Sequence, residues 1–211
     1  MSQVSNGPVP WQTLHLRHGR VGLRPITVSD RRAWREVRQR NVAWLRRWEA
    51  TRPPDDTSTP VTFRGMVRDL RKQARQGRCL PLVVTVDMHF AGQLTVSNIT
   101  GGSARFGSIG YWIDQRHAGH GIMPTAVAMA VDYCFFGLGL HRVEIAIRPE
   151  NEASLRVVEK LGFPEVGYAP RYLHIDGDWR DHRLFAMTVE DVPGGLLRRW
   201  TGIAEQRPNN A

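Results

Sequence analysis

The stretch best suited to chemistry is IGYWIDQRHAGHGIMPTAVAMAVDYCF, Ile109–Phe135. A strand-like run leads into a turn holding Arg116, His117, Ala118, Gly119, His120 and Gly121, and an apolar helix follows. The spacing Arg116-x-x-Gly119-x-Gly121 places two glycines where a chain must turn tightly and let a ligand approach its backbone. Successive N–H groups then converge in one concavity with a helix N-terminus behind it, a site for an anion such as a pyrophosphate. A glycine-rich strand-to-helix turn with no ligand is the competing reading. The loop lacks the Gly-Lys-Ser/Thr of a nucleotide-triphosphate loop. It also lacks the third glycine of a dinucleotide fingerprint, and the next strand ends in Arg148–Pro149 rather than an acidic residue. His117 and His120 are three apart but have no third ligand nearby, so no metal is expected.

The elements that must position this loop follow from periodicity. Phe106–Ile113 reads as a strand, Asp114–Gly121 as the turn, and the helix runs to about Phe136. His141–Ile147 is a strand, and Asn151–Leu161 is a helix closed by Gly162. Upstream, Leu14–Arg24 alternates as a strand bent at Gly19. Arg31–Trp48 carries Trp34, Val37, Asn41, Trp44, Leu45 and Trp48 at helical spacing, as one helix or two broken near Asn41. Thr51–Pro60 is a loop, and Val61–Gln76 a helix. Leu80–Val86 and Phe90–Ile99 form a hairpin across Asp87–His89. Val166–Ile175 and Arg180–Val189 form a last hairpin across Asp176–Gly177–Asp178. The order β-α-α-β-β-β-α-β-α-β-β predicts an α/β (α+β) fold with a mixed, mostly antiparallel sheet flanked by helices. Residues 1–12 read as a leader, 13–190 as one domain, and 191–211 as a tail with one apolar stretch.

With these residues in these elements, the sequence resembles the GCN5-related N-acetyltransferase (GNAT) family. That family's acyl-CoA loop is Arg/Gln-x-x-Gly-x-Gly/Ala after a strand, matched by Arg116, Gly119 and Gly121. A second family element, a strand leading to an Asn-initiated helix, is matched by RPENEASLRVVEKLGF, Arg148–Phe163. RYLHIDGDWRDHRLFAMT (Arg171–Thr188) and LRRWE (Leu45–Glu49) resemble segments of the bacterial ribosomal-protein alanine N-acetyltransferases. The resemblance covers about residues 13–190.

It implies direct acetyl transfer from acetyl-CoA to an amine. Backbone amides from Arg116 through Gly121 would hold the pyrophosphate. Tyr111, Trp112 and Ile113 would line the pantetheine and acetyl arm, with the Ile113 amide facing the thioester oxygen. Asn151 would bind the pantetheine arm, cap its helix, or both. Ser154 would protonate the departing thiolate or be an ordinary first-turn serine. Some relatives place a glutamate base five residues before the Asn and a tyrosine acid seven after it, but those positions are Ala146 and Val158 here. Glu49 is then the candidate for amine binding or base work, and a solvated helix-end carboxylate is the alternative. Tyr172 and Trp179 are candidates to wall a peptide channel, or for packing. Asp176, Asp178 and Asp181 in the last hairpin are further candidates, or simply form the turn. A peptide α-amine, with a pKa near 7.7–8.0 against about 10.4 for lysine, needs less help from a base. That favours an N-terminal over a lysine acceptor, and the resemblance implies one starting with Ala, Ser or Thr on a ribosomal protein. The alternatives are a small amine, such as an aminoglycoside or polyamine, and a non-catalytic RNA- or ribosome-binding module.

Composition bounds these readings. The 211 residues carry a net charge of +9, with 27 arginines and two lysines. Residues 1–78 hold a net +11 and the remainder −2. Such a basic third suits an acidic or nucleic-acid partner, or solvated helix faces on the acceptor side of the enzyme. No motif for DNA or RNA recognition stands out, and no apolar run approaches a membrane span. Cys79 and Cys134 sit in apolar surroundings and read as buried thiols. A reducing cytoplasm and a monomer or homodimer are the expectations.

Overall fold

A computed structural model describes residues 11–57 and 61–205. The leader expected over residues 1–12 lies mostly outside the described residues. Its end, Trp11, starts a short turn of 3-10 helix, Trp11–Thr13, and packs on the core.

Eight strands form one sheet in the order β1-β2-β3-β4-β5-β6-β8-β7. They are β1 Leu16–His18, β2 Val21–Pro25, β3 Leu80–Val86, β4 His89–Thr100, β5 Phe106–Ile113, β6 Arg142–Ile147, β7 Glu165–Ile175 and β8 Asp178–Thr188. Every pairing is antiparallel except β5 with β6. The expected single strand Leu14–Arg24 is instead a hairpin. His18 pairs with Val21 across a two-residue turn whose first position, Gly19, has φ +54°. Glycine adopts that conformation without strain, so the chain reverses where a bend was expected. The β3–β4 turn has Asp87 and Met88 both at positive φ, the geometry that matches strand twist.

The helices are α1 Arg31–Arg40, α2 Val42–Leu45, α3 Phe63–Arg75, α4 Ile122–Asp132, α5 Glu152–Leu161 and α6 Leu196–Glu205. The break between α1 and α2 falls at Asn41. Burial along β3 is continuous because the sheet is covered on both faces. Val83 meets α1 and α3 through Val37 and Val67. Leu80, Leu82 and Val84 meet the cluster containing α4 and α5. Helix α4 is apolar on all sides and buried from Ile122 to Val131, as a helix packed between sheet and other helices must be. Helix α5 buries Val157, Val158 and Leu161. It is capped by the Asn151 side chain at one end and by Gly162, φ +66°, at the other.

The segment expected as a tail continues the domain as far as it is described. Helix α6 packs on α4 with Leu196 fully buried. The Asp132 carboxylate accepts hydrogen bonds from the amides of Leu196 (2.6 Å) and Leu197 (3.1 Å), capping α6 from outside. The sequence signal was the apolar stretch itself, which needed a partner face that only the folded α4 supplies. Among the described residues no helix is long and apolar enough to cross a membrane. Both cysteines are buried, and burial raises their thiol pKa values to about 11 for Cys79 and about 12 for Cys134.

Leu196→Ala should cost about 2–5 kcal/mol in equilibrium unfolding by urea, the range for emptying a buried leucine site. A loss below 0.5 kcal/mol would show that α6 is not integrated with the core.

Candidate active site

Two strands part in the middle of the sheet. β5 pairs with β4 as far as Ile113, but with β6 only from Phe106 to Ser108. β6 stays with β8 to Ile147, so the two halves of the sheet diverge beyond Ser108. The Asp114 amide donates to Ala91 on β4 at 2.7 Å. Strand alternation therefore turns the amides of Tyr111 and Ile113 away from β4, into the opening. Unpaired backbone donors at such a gap favour a ligand that pairs as an added strand.

A cleft occupies this gap and runs to the start of α4. Tyr111, Trp112, Ile113, His117, Ala118, Gly119, Gly121, Asn151 and Ser154 line it. Sequence reading missed Trp44, Trp48, Arg156 and Lys160, which also line it. The tryptophans come from the helix-and-turn segment after Asn41, and the two cations from α5. Their helical periodicity was readable, but not the face on which they would meet the cleft. Arg116 and His120 are exposed and do not line it.

The loop is built differently from expectation. The amides of Arg116, His117 and Ala118 are spent inside it, on Asp114 Oδ1 (3.3 Å), Asp114 O (2.9 Å) and Gln115 O (3.0 Å). This narrows the cradle expected from Arg116 through Gly121. Amides without a partner among the described residues are those of Gly119, His120, Gly121, Ile122 and Met123. Gly119 (φ +82°) and Gly121 (φ +74°) are left-handed, and α4 begins directly behind them. Their glycines are required by conformation, because a Cβ at Gly119 meets open space and one at Gly121 makes only ordinary contact with Trp200. The Thr125 hydroxyl donates to Gly121 O (2.9 Å) and accepts from Trp200 Nε1 (2.9 Å), so α6 braces the loop.

The loop is anchored at Asp114, whose side chain is 1% exposed. Arg40 donates to Oδ2 from Nε (3.0 Å) and Nη2 (2.5 Å), and Asn41 Nδ2 donates to Oδ1 (2.8 Å). Asn41 also donates to Val37 O (2.8 Å) and accepts from the Gln115 amide (3.0 Å). One asparagine thus ends α1 and clamps the loop to it. Burial alone would raise the Asp114 pKa. The hydrogen bonds from Arg40, Asn41 and the Arg116 amide outweigh it and hold the carboxyl below the ordinary range.

Beyond the cleft lies a second chamber. Trp48, Tyr111, Asn151 and Ser154 line both spaces and form the throat between them. Asn151 Oδ1 accepts from the Ser154 amide (3.1 Å), leaving the Asn151 NH₂ for other partners. Burial pushes the Tyr111 phenol far up, so it keeps its proton. The chamber's other polar side chains are Arg148 and His182, and none of its lining residues is a carboxylate. Trp48 is flanked by Arg47 (4.4 Å from the ring centre) and Arg148 (5.3 Å), and Arg148 Nη1 donates to Arg47 O (2.7 Å).

Glu49 lines neither space. It is ion-paired with Arg38, whose guanidinium lies over the rings of Trp34 (5.3 Å) and Trp112 (5.2 Å). Its backbone carbonyl accepts from the Asp176 amide (3.1 Å), and Ala50 bridges to Ile175. The Glu49–Thr51 segment is therefore zipped to the last hairpin and roofs the chamber. Tyr172 and Trp179 are about half exposed and line neither space. Tyr172 meets the edge of His182 at 5.6 Å and Trp179 that of His174 at 5.5 Å. Asp181 accepts from Tyr168 Oη (2.6 Å) and the Arg171 amide (2.8 Å), and Asp178 from the Trp179 amide (2.8 Å). Asp176 lies 3.8 Å from Arg46.

A family model described as an acetyltransferase (GNAT) domain matches residues 20–164. The chain belongs to the GNAT acetyltransferases. It is 34% identical over 173 residues to the ribosomal protein uS5-alanine N-acetyltransferase of Escherichia coli, covering 79% of this chain and 88% of that one. It is 30% identical over 173 residues to a probable N-acetyltransferase, YjcK, of Bacillus subtilis, covering 81% and 95%. Among solved structures, Mycobacterium smegmatis RimJ in complex with CoA-disulfide aligns with a TM-score of 0.80 and 38% identity over 87% of this chain and 89% of that one. This GNAT enzyme is an N-acetyltransferase close to the ribosomal-protein-alanine acetyltransferases, and the expected sheet flanked by helices is the one observed.

Asn41→Leu should leave Asp114 and the Gln115 amide each short of a partner and cost at least about 2 kcal/mol, from about 1–3 kcal/mol per orphaned buried group. The pH dependence has a definite sign. Because the folded Asp114 pKa is depressed, its contribution is full above the unfolded value of about 3.9 and is lost as pH falls through the folded value. Asp114→Asn should be less stable at neutral pH and lose less stability between pH 5 and 2.5 than wild type. Parallel acid-unfolding curves would refute that assignment.

Proposed function

We infer that this GNAT enzyme acetylates the N-terminal α-amine of a protein, with acetyl-CoA as donor and a ribosomal protein starting with Ala, Ser or Thr as acceptor. The observation that carries this is the second chamber, which has Arg148 and His182 but no carboxylate among its lining residues. A polyamine or aminoglycoside brings several positive charges and needs anionic partners, whereas a peptide N-terminus brings a single amine of low pKa. The small side chains of Ala50 and Ala146, with Gly110, leave room for a short first residue. The relatives that act on ribosomal proteins support the same acceptor class.

The residues present suit acetyl-CoA. The free amides of Gly119–Met123 at the start of α4 match a pyrophosphate. The open edge of β5 matches the amide-bearing pantetheine arm, with the Tyr111 and Ile113 amides as donors and the Asn151 NH₂ opposite. Arg156 and Lys160 add positive charge along the cleft. Acetyl-CoA supplies an activated thioester. The Ile113 amide stabilises negative charge on the carbonyl oxygen. Ser154, in the throat, would return a proton to the sulfur. Trp48 and Tyr111 wall the throat and limit water there.

Peptides starting with Ala, Ser or Thr should be turned over with kcat/KM at least tenfold above spermidine and aminoglycosides, read by mass spectrometry of the product. Preference for the small amines would defeat the acceptor assignment. Gly121→Ala forces a side chain into the left-handed region at a cost of about 1–2 kcal/mol. It should weaken acetyl-CoA binding about five- to thirtyfold, measured by calorimetry.

A further inference from the structure

We propose that His182 is the general base, accepting the amine proton at Nε2 as the acceptor attacks. This rests on the α-amine reading above and supplies the group that sequence reading left unassigned.

The chamber decides by elimination. Its polar side chains are Trp48, Tyr111, Arg148, Asn151, Ser154 and His182. Indole, amide and guanidinium groups cannot take a proton near neutral pH, and neither can a neutral serine hydroxyl. Tyr111 is held protonated by burial. Glu49 faces Arg38 outside the chamber, and Asp181 is engaged by Tyr168 and the Arg171 amide. His182 remains.

Its geometry suits the role. The ring is buried, at 3% exposure, yet lines the chamber that shares its throat with the cofactor cleft. Nδ1 lies 3.0 Å from the Arg180 carbonyl, a group that only accepts, so Nδ1 carries the proton and Nε2 holds the lone pair. The Tyr172 ring packs against it in a T-shaped contact, with centroids 5.6 Å apart. β6 and β8 pair Ala146 with Leu184, and strand alternation puts His182, two residues along β8, on the same face as Ala146.

The proton account closes. The amine lone pair forms the C–N bond, and the C–S bonding pair leaves on sulfur. One N–H proton passes to Nε2, and the sulfur takes a proton through Ser154, which is refilled from solvent. His182 then discharges its proton to solvent. The groups facing the ring are Arg148 from the end of β6, Glu150 from the turn before α5, Asp181 and the Arg180 carbonyl on its own strand, and Tyr172 from β7. Burial lowers its pKa most, the Arg180 carbonyl opposes, Arg148 lowers it further, and Asp181 and Glu150 oppose. The balance lies below the ordinary value of about 6.5, so the ring is neutral and available at pH 7.

The test is the pH profile of kcat from pH 5 to 9, with an Ala-initiated peptide and saturating acetyl-CoA. Wild type should rise through an inflection below pH 6.5. His182→Gln should lower kcat about 10²- to 10⁴-fold and remove the inflection, while acetyl-CoA still raises its melting temperature as it does for wild type. Imidazole added to His182→Ala should restore part of the rate. Retention of the inflection in either variant would overturn the assignment even if kcat falls, because that pattern is a packing effect. A wild-type profile flat below pH 6.5 would overturn it even if neither variant folds. A wild type that acetylates no peptide would instead strike the α-amine reading, and this inference with it.

Discussion

The buried carboxylate of Asp114 is the constraint on which the site depends. It stands at the end of β5, where the chain leaves the sheet for the glycine-bearing loop, and it is almost wholly removed from water. A carboxylate there is tolerated only when its lone pairs are filled. Arg40, Asn41 and the Arg116 amide fill them. Because Arg40 and Asn41 close α1, the same bonds fix that helix against the loop, with the break between α1 and α2 at Asn41. The segment bearing Trp44 and Trp48 is thereby aimed at the cleft. One charge thus sets the entry to the loop, the end of a helix and one aromatic wall of the site.

A second constraint is the parting of β5 and β6. Only three residue pairs join these strands before they diverge. On β5 the other edge is satisfied by β4 down to Ile113, so the Tyr111 and Ile113 amides face open space. The cost of leaving such donors unpaired is offset only by a ligand or water. Helix α4 leaves the loop after β5 and α5 starts from Asn151 after β6, and the first turns of both line the cleft. The chamber beyond is closed on its far side by the last hairpin, to which Glu49–Thr51 is bonded.

Much of this was legible in the sequence. Gly119 and Gly121 marked the loop, and Asn151 and Gly162 marked the two ends of α5, because left-handed turns and caps demand those residue types. Strand and helix periodicities gave the order of elements, since they reflect one-sided burial along a single segment. The errors share one cause. Arg116, His117 and Ala118 were read as pyrophosphate donors because spacing cannot show that their amides are consumed inside the loop. For Glu49, a candidate for amine binding or base work or a solvated carboxylate, the local sequence does not show its ion pair with Arg38, eleven residues away. α6 was read as tail because its partner, α4, lies far off in sequence.

The sequence by itself determined what a short stretch can determine: the glycine-bearing loop, the capped helix after it, the family, and the run of strands and helices. These depend on contacts within a few residues, where covalent geometry and capping leave few choices. Only the tertiary structure decided which amides remain free, which carboxylates are neutralised, that the chamber beside the throat lacks a carboxylate, and that His182 reaches it. Those outcomes are set by burial and pairing between residues tens of positions apart, so no local pattern records them.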